Sequence, residues 1–335
     1  MLCGTLACCA LVSAQAAPSL EYVSTLSLPC EGSRIALPVS VTVGTDGIVC
    51  VTDATGNAGH LLDRGNVHLF STERAAGLAD PLDICVEASG GFVCTDSRTA
   101  GGRTIRKLDF FGQLLPFAPE PVTNLWTPER LLVTRDGNYV TTDPTNGYLA
   151  KHDAKTGALL WKRELKDSQS GELIALGRPG EAPDGRLLLP FPGLRQIQVL
   201  SAEGEHETEF GTPGGARGRL SFPVGVAFCP DGSIAVLDRM RHVILLYDEH
   251  FGFISEFGTF GKGPQDLYYP AAIASSSDGL IYVAQGLEGR IQQLRFTTTG
   301  SAEPNNDRFR PVVAGRTERE IRSGREGVVE AQPSP

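Results

Sequence analysis

Four aspartates, Asp53, Asp96, Asp143 and Asp238, close short apolar runs of the same build, IVCVTD, GFVCTD, NYVTTD and SIAVLD. Carboxylates repeated in this way can converge as oxygen donors to a hard cation such as calcium. Each can instead accept backbone N–H bonds from its own loop. A residue found in most copies of a repeated unit serves the unit, so the second role is expected. Histidine-based zinc chemistry needs several rings to converge. Of the six histidines, His68, His152 and His242 fall on or just before third strands of the unit described below, and His60, His206 and His250 fall in loops or turns. None is placed on a first strand, so no zinc site is expected, and His242 reads as a structural polar contact. Five cysteines follow the N-terminal segment, Cys30, Cys50, Cys85, Cys94 and Cys229, with no C-x-x-C spacing. Cys85 and Cys94 flank one hairpin and can face each other across it, although small buried thiols are the simpler reading.

Residues that break the repeat are stronger pointers to function than those that obey it. Asp83, Glu129 and Arg130 are charged where other copies carry small or apolar residues. Arg98, Arg103, Arg239 and Arg241 sit in the loops after second strands, on the same face. Together they suggest a polar, partly cationic ligand surface at one mouth of a central channel. A solvated rim with local ion pairs is the competing reading. No G-x-S-x-G, Walker A, H-E-x-x-H or EF-hand pattern occurs. The glycine-rich stretches 211–218 and 258–265 precede strands, not helices, and are not phosphate loops.

The elements that must position these residues recur along the chain. Turn signals stand at Thr45-Asp46-Gly47, Ser89-Gly90-Gly91, Arg135-Asp136-Gly137, Pro183-Asp184-Gly185, Pro230-Asp231-Gly232 and Ser277-Asp278-Gly279, at intervals of 44, 46, 48, 47 and 47 residues. Asp-Gly and Gly-Gly supply the positive φ of a tight hairpin. Before each turn lies a strand, opened by Pro38, Pro81, Pro128, Pro223 or Pro270; the fourth copy lacks the proline and offers GELIAL (171–176) instead. Proline is tolerated where no ladder donor is needed. After each turn comes a second strand. A third follows (NVHLFS, TIRKLDFFG, YLAKHDAKTG, QIQVLSAEG, VILLYDEHFG, RIQQLRFTTTG), and most copies have a fourth, as in ALLWKREL, ETEFG and FISEFG. Four short strands per ~45 residues is the arithmetic of a propeller blade. The fold expected is all-β, a six-bladed β-propeller of four-stranded antiparallel blades over residues 18–300. The last blade would be completed by the N-terminal strand YVSTLSL (22–28), with FRPVV (309–313) as the competing donor.

The phrase FPVGVAFCPDGSIAVLDRMRHVILLYDEHFGFISEFGTFGKGPQDLYYP resembles an NHL repeat. Residues 222–285 match well, the first three copies match in outline, and the fourth departs. The resemblance spans roughly residues 20–300. It implies a six-bladed propeller without naming an activity, because propellers host many unrelated ones. HDAKTGALLW (152–161) is similar to the tryptophan-docking repeat of quinoprotein dehydrogenases, but a single copy implies only that Trp161 anchors one blade to the next.

Bulk properties bound the rest. The 335 residues are 41% hydrophobic and 21% charged, and the net charge of −9 argues against a nucleic-acid or anionic-membrane surface. Residues 1–17 carry no charge, an apolar run over 6–12 and Ala14-Gln15-Ala16, the pattern of a secretory signal peptide. Cys8 or Cys9 as a lipidated residue fits less well. Residues 301–335 are charged and almost without aromatics, as a disordered tail would be. No internal stretch is long and apolar enough to span a membrane. The sequence therefore favours a secreted or periplasmic monomer without catalysis, binding a protein, peptide or glycan on its loop face. It implies no cofactor. The second reading is a lyase or lactonase-like hydrolase with calcium in the channel.

Overall fold

The computed structural model describes residues 18–26, 35–55, 58–72, 77–97, 102–165 and 175–298. The expected signal segment, the tail, FRPVV, Cys30 and Arg98 lie outside the described residues. Six four-stranded antiparallel sheets form the six blades. Blade one, for example, runs Pro38–Val43, Val49–Asp53, Ala58–Leu62 and His68–Thr72 from the channel outward. Each inner hairpin turns on a positive-φ glycine, Gly47, Gly90, Gly137, Gly185, Gly232 or Gly279, with φ between 82° and 90°. This is the backbone region that only glycine enters freely.

Blade six closes the ring as expected. Ser19–Leu26 pairs antiparallel with Arg290–Thr297 as its outermost strand, from Ser19 opposite Thr297 to Leu26 opposite Ile291. The inner strands of blades six and one also lie against each other. Burial follows the same geometry: six apolar clusters each bridge one pair of adjacent blades. In the cluster between blades one and two, Cys50 and Leu61 meet Ile84, Phe92 and Leu108. A single sheet would expose both faces; stacked radially, each buries both.

Three details correct the strand assignment. In blade one the third strand is Ala58–Leu62 and NVHLFS supplies the fourth, so His60 lies on a third strand and His68 on an outer one. His206 likewise begins an outer strand, His206–Phe210. In blade four the inner strand is Gly180–Glu181, paired with Leu187–Phe191, where GELIAL was expected; residues 171–174 of that stretch lie outside the described residues. Cys85 and Cys94 are free. Cys85 stands opposite Val93 and Cys94 opposite Ile84, so the one-residue offset sends the two thiols to opposite faces of the blade. Trp161 does anchor blade three to blade four, where a Cβ on Gly204 would come within 2.8 Å of its ring.

Candidate functional site

The repeated aspartates are structural ties. All four are at most 1% exposed. Asp238 accepts the N–H groups of Ser221 and Phe222, which lead into the inner strand, and of Met240 and Arg241 in its own loop. Asp53 holds Ala36, Leu37 and Thr55 in the same way, and Asp143 holds Thr127 and Asn146. Gln285 does this in blade six, accepting from Tyr268 N–H at 2.7 Å. Among the described residues no three His, Cys, Asp or Glu side chains come together as metal donors. None of the six histidines lies on an inner strand.

Counting seven residues back from each turn glycine reaches one level of the channel: Ser40, Asp83, Arg130, Arg178, Gly225 and Ala272. Asp83 is fully buried at this level and does not reach the open mouth. Its Oδ1 accepts from Ser40 Oγ at 2.6 Å; its Oδ2 accepts from Leu131 N–H at 2.9 Å and from Arg178 Nε at 3.1 Å. Arg178 Nη2 donates to Leu131 O at 2.9 Å and contacts Cys85 Sγ at 3.4 Å. Blades one to four are thereby stitched across the channel, the third through the Leu131 backbone and the others through side chains. Burial works against the Arg178 charge, but the Asp83 carboxylate and Cys85 outweigh it and hold the guanidinium protonated, above its ordinary value. Burial and the adjacent Asp83 push the Cys85 thiol up to about 12, so it is no thiolate nucleophile at neutral pH.

Arg178 was missed in the sequence because its blade lacks the opening proline that marked the others. The turn glycine was the better ruler, since seven residues before Gly185 falls on Arg178.

The other candidates are Arg130, at the same level as Asp83, and Glu129, Arg103, Arg239 and Arg241 nearer the loop face. Arg130 Nη1 reaches across to Val39 O at 3.4 Å, and Arg239 Nε donates to Pro270 O at 3.0 Å. Burial, and then the charge of Arg130, hold Arg239 below its ordinary value. Neither guanidinium forms an ion pair among the described residues. Glu129 is half-buried, and its Oε1 meets only Thr145 Oγ1 at 3.5 Å. Arg103 is committed to Asp80, and Arg241 to Glu256, Arg219 O and Gly215 O. These last two brace loops.

A group of rings that sequence patterning marks only as linker lies in the connection from blade five to blade six, beside the loop that carries His242. Phe260 is 60% exposed and packs 5.3 Å from Tyr268 and 4.8 Å from His242, and Tyr269 lies 5.1 Å from Tyr268 and 4.8 Å from His242. Tyr269 adopts φ 44°, a costly conformation for a bulky residue. His242 Nδ1 accepts Tyr269 N–H at 3.3 Å, the structural polar contact expected of it. Met240 and Leu287 are also more than half exposed on this face.

No protein-family model matches the chain. Over 82 residues, 24% of this chain, it is 36% identical to the RING finger protein nhl-1 of Caenorhabditis elegans, and it spans only 8% of that protein's length. This chain is a six-bladed propeller related to the NHL-repeat proteins. Two solved structures share the fold. A streptogramin B lyase superposes with a TM-score of 0.58 at 18% identity, over 84% of this chain and 98% of that one. An auxiliary nutrient binding protein from Bacteroides thetaiotaomicron superposes with a TM-score of 0.61 at 11% identity, over 83% and 77%. At such identities the likeness concerns the fold alone.

Proposed function

We propose that this NHL-like propeller is a non-catalytic binding module that takes a protein, peptide or glycan on its loop face. The observation that carries the reading is the pairing of Arg130 and Arg239, each given only a backbone carbonyl, with the exposed rings of Phe260 and Tyr269 and the half-buried ring of Tyr268 between them. Two guanidiniums near each other gain from an acidic group placed between them, which relieves their repulsion and forms charge-assisted hydrogen bonds. Aromatic faces beside them offer area to a sugar ring or an apolar side chain at small entropic cost. Export, as the first 17 residues suggest, would place such a module outside the cytoplasm. The fold is compatible with binding and with catalysis alike, since proteins named for each share it.

The test uses an array of acidic peptides and acidic glycans, with affinities of the hits measured on the wild type and on an Arg130→Ala/Arg239→Ala double variant. The double variant should bind at least ten-fold more weakly, in line with the loss of ~1.5–3 kcal/mol for charge-assisted bonds. Unchanged affinity would refute the placement. Stoichiometric divalent metal in the purified protein, removed by chelator with loss of thermal stability, would favour the calcium-assisted lyase reading instead.

A further inference from the structure

The channel continues on the other side of the Asp83–Arg178 layer. Between that layer and the Asp-Gly turns, the channel holds a cavity of about 290 Å³. Its walls carry more apolar than polar surface, with Val86, Leu132, Val133, Val226 and Ile273 from four of the six inner strands, and Arg135 and Glu181 line it too, Glu181 Oε2 accepting Arg135 N–H at 2.7 Å. Thr42 and Thr134 also border it, but their hydroxyls are already given to Ile84 O and to Asp136 and Asn138 O. Arg178 lines the cavity as well. Its Nε and Nη2 edge is spent on Asp83, Leu131 and Cys85, whereas Nη1 meets no acceptor among the described residues. Arg178 is 9% exposed, so this nitrogen belongs to a buried, charged side chain with two N–H donors left over.

We infer that the turn-face end of the channel binds a small, neutral, largely apolar molecule through one carbonyl-type oxygen, read by Arg178 Nη1. The volume is near the lower end of the ~300–1,000 Å³ usual for small-molecule pockets. Neutrality follows from the charge balance. Asp83 already offsets Arg178, and the Glu181 carboxyl stands in the same wall, so a ligand carboxylate would add an uncompensated charge. A carbonyl satisfies the donor and adds no net charge. The inference does not depend on the loop-face reading, since the two sites open on opposite faces.

The experiment titrates benzamide into the full chain, labelled with ¹³C at Ile, Leu and Val methyl groups, with benzoate as the charged counterpart. Benzamide should shift the methyls of Val86, Leu132, Val226 and Ile273 saturably, and benzoate should need at least ten-fold higher concentration. Ala274→Leu and Ala227→Leu fill the cavity from two different blades. Whichever of them keeps the wild-type methyl dispersion should lose the benzamide response. Three results would each overturn the proposal: no movement of these methyls up to the solubility of benzamide, equal or tighter binding of benzoate, or an undiminished response in a folded cavity-filled variant.

Discussion

Asp83 is a charge in the middle of the protein whose desolvation is offset only by the groups gathered around it. A carboxylate removed from water loses several kcal/mol of hydration, and recovers it only when its lone pairs are filled and an opposite charge is close. Here Ser40, Leu131 and Arg178 fill them. Asp83→Ala leaves the Arg178 guanidinium unbalanced, and is expected to lower unfolding stability by about 3–5 kcal/mol. Asp83→Leu combined with Arg178→Met removes both charges and should recover most of that loss. Urea unfolding of the two variants beside the wild type checks this; a cost below about 1 kcal/mol for Asp83→Ala would show that the layer is not what joins these blades. Sequence alone marked Asp83 as a charged exception but could not supply its partner. Blade four enters the channel as Arg178-Pro179-Gly180-Glu181, with too little apolar patterning to read as a strand. Phe260, Tyr268 and Tyr269 were hidden for a different reason: linker residues carry no period that reports which way a ring faces.

At the scale of elements, the inner hairpins were legible because a positive φ leaves little choice but glycine, whereas outer strands, half exposed and variable, were misplaced in blade one. The segments between blades must also be held, and the one before blade three is held by a histidine. His152 is fully buried, stacks on Trp126 at 4.9 Å, and donates from Nε2 to Glu120 O at 2.9 Å. Its Nδ1 is buried without a partner, so the ring is suited to the neutral form with the proton on Nε2. Burial lowers its pKa, against a smaller upward pull from Glu120. His242 is lowered by burial too, with Asp238 opposing. An unfolded histidine takes up its proton near pH ~6.5 while the folded one does not. The full stabilisation is therefore present above that pH and is lost as pH falls toward the folded value. The unfolding free energy, followed by thermal melts, should decline between pH 7 and 5.5, with a limiting slope of ~1.4 kcal/mol per pH unit for each group. His152→Gln, which keeps a donor for Glu120 O, should flatten the decline. An equally steep decline in that variant would assign it to other groups.

For the whole molecule the decisive feature is that the ring is shut by a strand from the opposite end of the chain. Ser19–Leu26 covers the edge of Arg290–Thr297. It also places Leu20 in the cluster between blades five and six and Leu26 in that between blades six and one. Just before it, Pro18 O accepts from Ser255 Oγ of blade five at 2.8 Å. One short strand thus holds three blades, and its removal acts on two apolar clusters and a sheet edge at once. A chain beginning at residue 27 should lose at least about 5 kcal/mol, since truncating a single buried leucine costs ~2–5 kcal/mol. It should also self-associate with rising concentration, because the uncovered strand offers unpaired N–H and C=O groups to another copy. Calorimetry and light scattering on the two chains measure both effects. A synthetic peptide of residues 18–26 added in trans should then bind the truncated chain, raise its unfolding midpoint and suppress the association. If the truncated chain melts with the wild type and stays monomeric, closure is carried by the blade-to-blade clusters alone. Rescue by the peptide would instead show that the strand itself, and not its covalent link to the chain, is what seals the ring.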